Sequence, residues 1–149
     1  MTTSRKPYRP SKVAAKAKRV GTETFSRLAR RRWPFSNLGT WVVRDMRDKP
    51  GVMSQHAAAL ALDLGYTDRK VALEACDWFV TWADELGVAL INDYAHGDHG
   101  RTWICDRAAW KVHTKPTIGT RGAWIHVELH SWAANLESYE QLWRSIPKP

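Results

Sequence analysis

Two cysteines in 149 residues, Cys76 and Cys105, are too few for a disulfide framework, and they form no C-x-x-C pair. Cys76 lies in an apolar helical pattern and reads as a small buried hydrophobe. No apolar run approaches the roughly 18 residues needed to cross a bilayer. The N-terminus carries charge but no apolar stretch or small-residue cleavage pattern behind it, so no secretory signal is expected. The motifs G-x-x-x-x-G-K-[ST], G-x-G-x-x-G and G-x-S-x-G are missing, which leaves nucleotide-binding and serine-hydrolase functions without support. No internal repeat is visible.

Acidic residues are also scarce at the start. Residues 1–36 hold eleven Lys+Arg against Glu23 alone, about +10, whereas residues 37–149 hold twelve against fourteen, about −2. The formal charge of +8 therefore describes an arm and not a domain. Such an arm favours polyanions (nucleic acid, anionic wall polymers, an acidic membrane surface), or it is simply a solvated, partly flexible tail. What remains is well supplied for a core. The length suits one domain, and 44% hydrophobic residues with nine tryptophans argue for packing over disorder.

The pattern predicts an α+β fold: a small, mostly antiparallel sheet packed against one long helix, behind a basic N-terminal arm. The arm covers residues 1–37, with a short basic helix over Thr22–Arg32 stopped at Trp33-Pro34. The compact domain covers 38–149. Thr40–Val43 is β-prone, and Asp48-Lys49-Pro50-Gly51 reads as a turn. The long helix is expected from Asp68 to Leu86, where Val71, Ala75, Trp78, Phe79, Trp82, Ala83 and Leu86 form one apolar stripe. Thr67 or Asp68 can cap it and Gly87 can end it. Val88–Ile91 is a candidate buried strand, and Arg101–Trp110 a strand and turn. Trp124–His130 alternates, with Ile125, Val127 and Leu129 toward the core and Trp124, His126, Glu128 and His130 on the opposite face. A last helix is expected over Ser131–Arg144.

One constellation carries chemistry. His56 and Asp63 stand seven apart in an apolar setting, and a carboxylate between Leu62 and Leu64 requires a cation, a metal or several donors. His126 lies on the polar face of the late strand. Two histidines and a carboxylate, with a fourth position left for water, are a recurring catalytic zinc set. His96-Gly97-Asp98-His99 offers a second metal-type grouping or, more simply, a polar loop at a site's rim. His113 and His130 carry no pattern.

The run Trp41-x-x-Arg44, then Ser54-x-His56-x6-Asp63, then Ile125-His126-Val127-Glu128, resembles the D-alanyl-D-alanine carboxypeptidase and phage endolysin group of zinc peptidases, especially the short actinobacteriophage forms. The order of motifs agrees over about residues 40–130. The resemblance implies that His56, Asp63 and His126 bind zinc and that Arg44, or less readily Arg47, supports the substrate carbonyl or carboxylate. Two positions depart from the family pattern. Ala59 replaces a glycine, a small change if its backbone φ is negative. Ala123 stands three residues before His126, where the family keeps its general base. Glu128 or Asp98 could supply a substitute carboxylate, although Glu128 is also placed to orient a ligand histidine.

The resemblance further implies a peptidase acting on peptidoglycan stem peptides, either an endolysin released from the host cytoplasm through a holin or a virion component. Two alternatives stand beside it. One is a catalytically impaired zinc-binding relative; the other is a nucleic-acid-associated protein acting through residues 1–36.

Overall fold

A computed structural model describes residues 5–117 and 119–148; residues 1–4 of the expected arm lie outside this range. The fold is α+β. Among the described residues it contains five helices, a six-stranded antiparallel sheet and a separate two-stranded hairpin. In chain order the elements begin with α1 (Val20–Arg32), β1 (Ser36–Gly39), β2 (Asp45–Met46), β3 (Lys49–Met53) and β4 (Ala61–Gly65). They continue with α2 (Arg69–Thr81), α3 (Ala83–Leu86), β5 (Val88–Asp93), β6 (Arg101–Ile104) and β7 (Ala109–Val112). The chain closes with β8 (Trp124–Leu129), α4 (Ser131–Ala134) and α5 (Tyr139–Ser145). The large sheet runs β1-β4-β8-β5-β6-β7, and β2 pairs with β3.

Successive side chains on a strand face opposite ways, so each register row across the sheet belongs to one face. Leu62, Val127, Ile91 and Trp103 form one such row, and all are buried beneath the helices. The next row is Asp63, His126, Asn92 and Thr102, polar throughout and on the opposite face. The apolar face packs on Phe25, Phe79, Tyr139 and Trp143, whose rings meet at 4.7–6.1 Å together with Trp78.

Four expectations need correction. The single long helix is absent: Trp82 (φ −110°, ψ 22°) separates α2 from α3. The Thr81 hydroxyl donates to the Asp77 carbonyl four residues back, a bond that bends helices at such points. The ends are as expected, with the Asp68 carboxylate accepting from Lys70 N–H and Gly87 left-handed at φ 71°. The C-terminal helix is likewise divided, into α4 and α5. The first strand is Ser36–Gly39 and not Thr40–Val43, and the turn expected at Asp48–Gly51 sits at Arg47–Asp48, with Lys49–Gly51 already in β3.

Within the expected arm, helix α1 packs into the core: Phe25, Leu28 and Ala29 are buried, and Trp33 packs edge-on to Trp78 and Phe79. Gly21 lies so close to α4 that a Cβ there would fall 1.8 Å from the Ala133 carbonyl oxygen. Its basic residues crowd the remaining, solvent-facing side, where Arg27 pairs with Glu140 and Arg32 with Glu74. No helix is long and apolar enough to cross a membrane among the described residues.

Candidate metal centre

Three elements converge on the polar row. The β4–β8 register sets Asp63 directly opposite His126. His56 arrives from the tight turn between β3 and β4, where Ala59 N–H donates to the His56 carbonyl and Leu60 N–H to that of Gln55. The Ser54 hydroxyl accepts from His56 N–H at 3.2 Å, fixing the start of the turn. Ala59 adopts φ 57°, the left-handed region that favours glycine, so the glycine-to-alanine change at this position is not the small one expected for negative φ.

His56, Asp63 and His126 form the one group of metal-ligating side chains of this kind among the described residues, with ligating atoms all within 4.8 Å of one another. Asp63 divides its carboxylate between the rings: Oδ2 lies 3.1 Å from His56 Nε2 and Oδ1 lies 3.0 Å from His126 Nδ1. The two rings stand 5.0 Å apart, steeply inclined. His56 Nδ1 is 3.3 Å from the Thr40 carbonyl, which can only accept, so the proton belongs on Nδ1 and Nε2 is turned to the cluster. His126 is oriented the other way round. Its Nδ1 faces the cluster while Nε2 lies 2.8 Å from Glu128 Oε2. Both histidines therefore present one nitrogen inward and anchor the other on an oxygen, the arrangement that orients metal ligands.

The electrostatics follow from burial against partners. Burial alone would push His126 down, but hydrogen bonds to Asp63 and Glu128 outweigh it and raise its pKa to about 10. Burial likewise works to raise Asp63, and the two histidines overcome it, holding the carboxyl well below its usual range. The cluster thus attracts positive charge, and it could hold a metal ion through two nitrogens and an oxygen.

The group lies in a groove of about 660 Å³. Arg44 and Arg47 from the β2–β3 region, Met53, Tyr94 and Trp124 also line it, the last two with rings 5.0 Å apart. Three carboxylates reach this groove: Asp48, Asp63 and Glu128. Glu128 has both oxygens engaged, Oε2 by His126 and Oε1 by the Tyr8 hydroxyl, which donates to it. Its geometry is that of an orienting carboxylate. Asp98 stays in solvent beside Arg121 at 3.5 Å and does not line the groove; neither do His96 and His99. Ala123 is exposed outside the groove, its carbonyl accepting from Tyr66 N–H. His113 does reach the groove, through a 2.7 Å contact with the Thr102 hydroxyl, which itself donates to Asn92 Oδ1.

Sequence reasoning missed Tyr8, Asp48, Asn92 and Tyr94. Asn92 could have been found by extending the β5 alternation one step past Ile91. Tyr8 gives no signal at all, standing alone in a Lys/Arg/Pro-rich stretch. Asp93, one residue on from Asn92, points into the core and is held by Arg69 at 2.6 and 2.9 Å and Arg101 at 2.9 Å, tying α2, β5 and β6 together.

Comparison with protein-family models, curated proteins and solved structures gives no match.

Proposed function

We propose that this chain is a zinc-dependent peptidase acting on the stem peptides of bacterial peptidoglycan. The observation that carries the reading is the convergence of His56, Asp63 and His126, two oriented imidazoles and a carboxylate, in a groove open to solvent. These are the residues that the family resemblance assigns to zinc. In this reading the setting is that of an actinobacteriophage endolysin or virion-associated enzyme.

Zinc held there supplies Lewis-acid polarisation of the scissile carbonyl and a water of lowered pKa. The chain supplies the rest. Arg44 offers a guanidinium in the same groove for the developing oxyanion or a substrate carboxylate. Tyr94 and Trp124 give the peptide an apolar wall. Glu128 orients His126 and is not free to act as the base. The remaining carboxylate of the groove beyond the ligand Asp63 is Asp48, on the tight turn between β2 and β3, and proton transfer is assigned to it here.

A second reading, a zinc-binding relative without hydrolysis, is favoured by Ala123, which can move no proton. Hydrolysis of purified peptidoglycan and of synthetic stem peptides separates the two. The peptidase reading predicts new amine termini from the wild type, none from His126→Ala, and at least a hundredfold slower release from Arg44→Ala and Asp48→Asn with zinc retained. Zinc binding with no cleavage of any stem peptide would establish the second reading instead.

A further inference from the structure

The described chain ahead of α1, residues 5–19, has no helix or strand, yet it is held against the sheet and the His56 turn by specific contacts. Lys6 N–H donates to the Cys105 carbonyl at 3.0 Å, just past the end of β6. Ser11 and Gln55 are joined reciprocally: Ser11 N–H donates to Gln55 Oε1 at 2.9 Å, and Gln55 Nε2 to the Ser11 carbonyl at 3.0 Å. Ala15 N–H donates to the Ala57 carbonyl at 2.8 Å, and Arg19 Nε to that of Ala58 at 2.7 Å. Gln55 and Ala57 flank His56 in its turn, and Ala58 follows them. On the other side, the Tyr8 hydroxyl donates to Glu128, whose second oxygen holds His126. The segment therefore grips the turn of one histidine and the orienting carboxylate of the other.

We propose that this N-terminal strap is a working part of the candidate metal centre, with Tyr8 as a positioning residue that fixes Glu128 and, through it, His126. The inference rests on the metal-binding reading of His56, Asp63 and His126. Its physical basis is connectivity. A carboxylate with a single partner can rotate away from the imidazole, whereas one held at both oxygens presents Oε2 to Nε2 in one orientation. His126 Nδ1 is then kept on the side of Asp63. Tyr8 and Pro10 also line the groove, so the strap forms part of its wall as well as its support. A purely charged tether would need none of these contacts.

Tyr8→Phe removes the hydroxyl and keeps the ring, so the packing of the strap is preserved. The test is the zinc dissociation constant of the full chain, measured by chelator competition, together with the visible absorption of the cobalt(II)-substituted protein. Disturbing a partner of a metal ligand typically costs 10–100-fold in affinity; one contact further out, Tyr8→Phe should weaken zinc by about three- to tenfold. It should also shift the cobalt absorption bands. If Tyr8 acts through Glu128, the same substitution in a Glu128→Gln background produces no further loss. Unchanged zinc affinity and cobalt spectrum in Tyr8→Phe would overturn the inference alone. So would an equal loss in both backgrounds, which would mark a general structural role. A wild-type chain that binds no zinc would overturn the metal reading and the inference with it.

Discussion

Ala58 and Ala59 are neighbours in the turn that carries His56, almost equally buried at 0% and 1% exposure, yet only Ala59 has positive φ, at 57°. Replacing either by glycine removes one buried methyl, worth about 0.8 kcal/mol. Either change also adds unfolded-chain entropy worth about 0.4–1 kcal/mol. Ala58→Gly should therefore cost about 1–2 kcal/mol. At Ala59 the same losses are offset by release of an L-residue from the left-handed region, about 1–2 kcal/mol, so Ala59→Gly should be close to neutral. The reading is the difference between the two variants, about 1–2 kcal/mol. It is measurable by urea unfolding, or as a separation of roughly 2–8 °C in thermal midpoint at 2–4 °C per kcal/mol for a chain of this size. The hydroxyl of Thr22, which donates to the Ala59 carbonyl at 2.7 Å, is unaffected by either change. Equal destabilisation by the two glycines would refute the left-handed turn, and with it the local geometry that aims His56 at Asp63.

Two further outcomes follow from the packing. Gly21→Ala sets a methyl 1.8 Å from the Ala133 carbonyl oxygen and should destabilise by about 3 kcal/mol; a neutral result by denaturant titration would mean that α1 does not dock on the C-terminal segment. Asp93 is pushed up by burial but pulled further down by Arg69 and Arg101, so its folded pKa lies below its unfolded value. Its contribution is therefore full above the ordinary carboxylate range, about pH 4, and is lost as pH falls through the folded pKa. Asp93→Asn should cost about 3 kcal/mol at neutral pH and reduce the loss of stability on acidification, measured by unfolding at pH 7 and pH 3; an unchanged acid response would contradict the buried pairing.

Much of the site was legible because its signals are local or periodic. The alternation through Trp124–His130 put His126 and Glu128 on one face, and the β4–β8 register then sets Asp63 opposite His126. The spacing from His56 to Asp63 reflects one turn and half a strand. What was not legible depends on tertiary contact. The charge of residues 1–36 suggested a separate arm, but Phe25, Leu28, Ala29 and Trp33 are spaced to bury one side of α1 while the arginines crowd the other. An unbroken apolar stripe over 71–86 could not reveal the break at Trp82, since Ala83 and Leu86 of α3 are buried in the same core as the apolar side chains of α2. From its position on the strand Glu128 was open to two roles, a substitute base or the orienting partner of a ligand histidine. Only the approach of Tyr8, 120 residues away in the chain, shows that both its oxygens are engaged.

The most direct test of the central claim is elemental analysis of the purified chain after zinc reconstitution and dialysis, beside His56→Ala and His126→Ala. The account predicts about one zinc per wild-type chain and none retained by either variant, with both variants folded. A wild-type chain that retains no zinc, or variants that retain it undiminished, would contradict the assignment of His56, Asp63 and His126 as a metal centre.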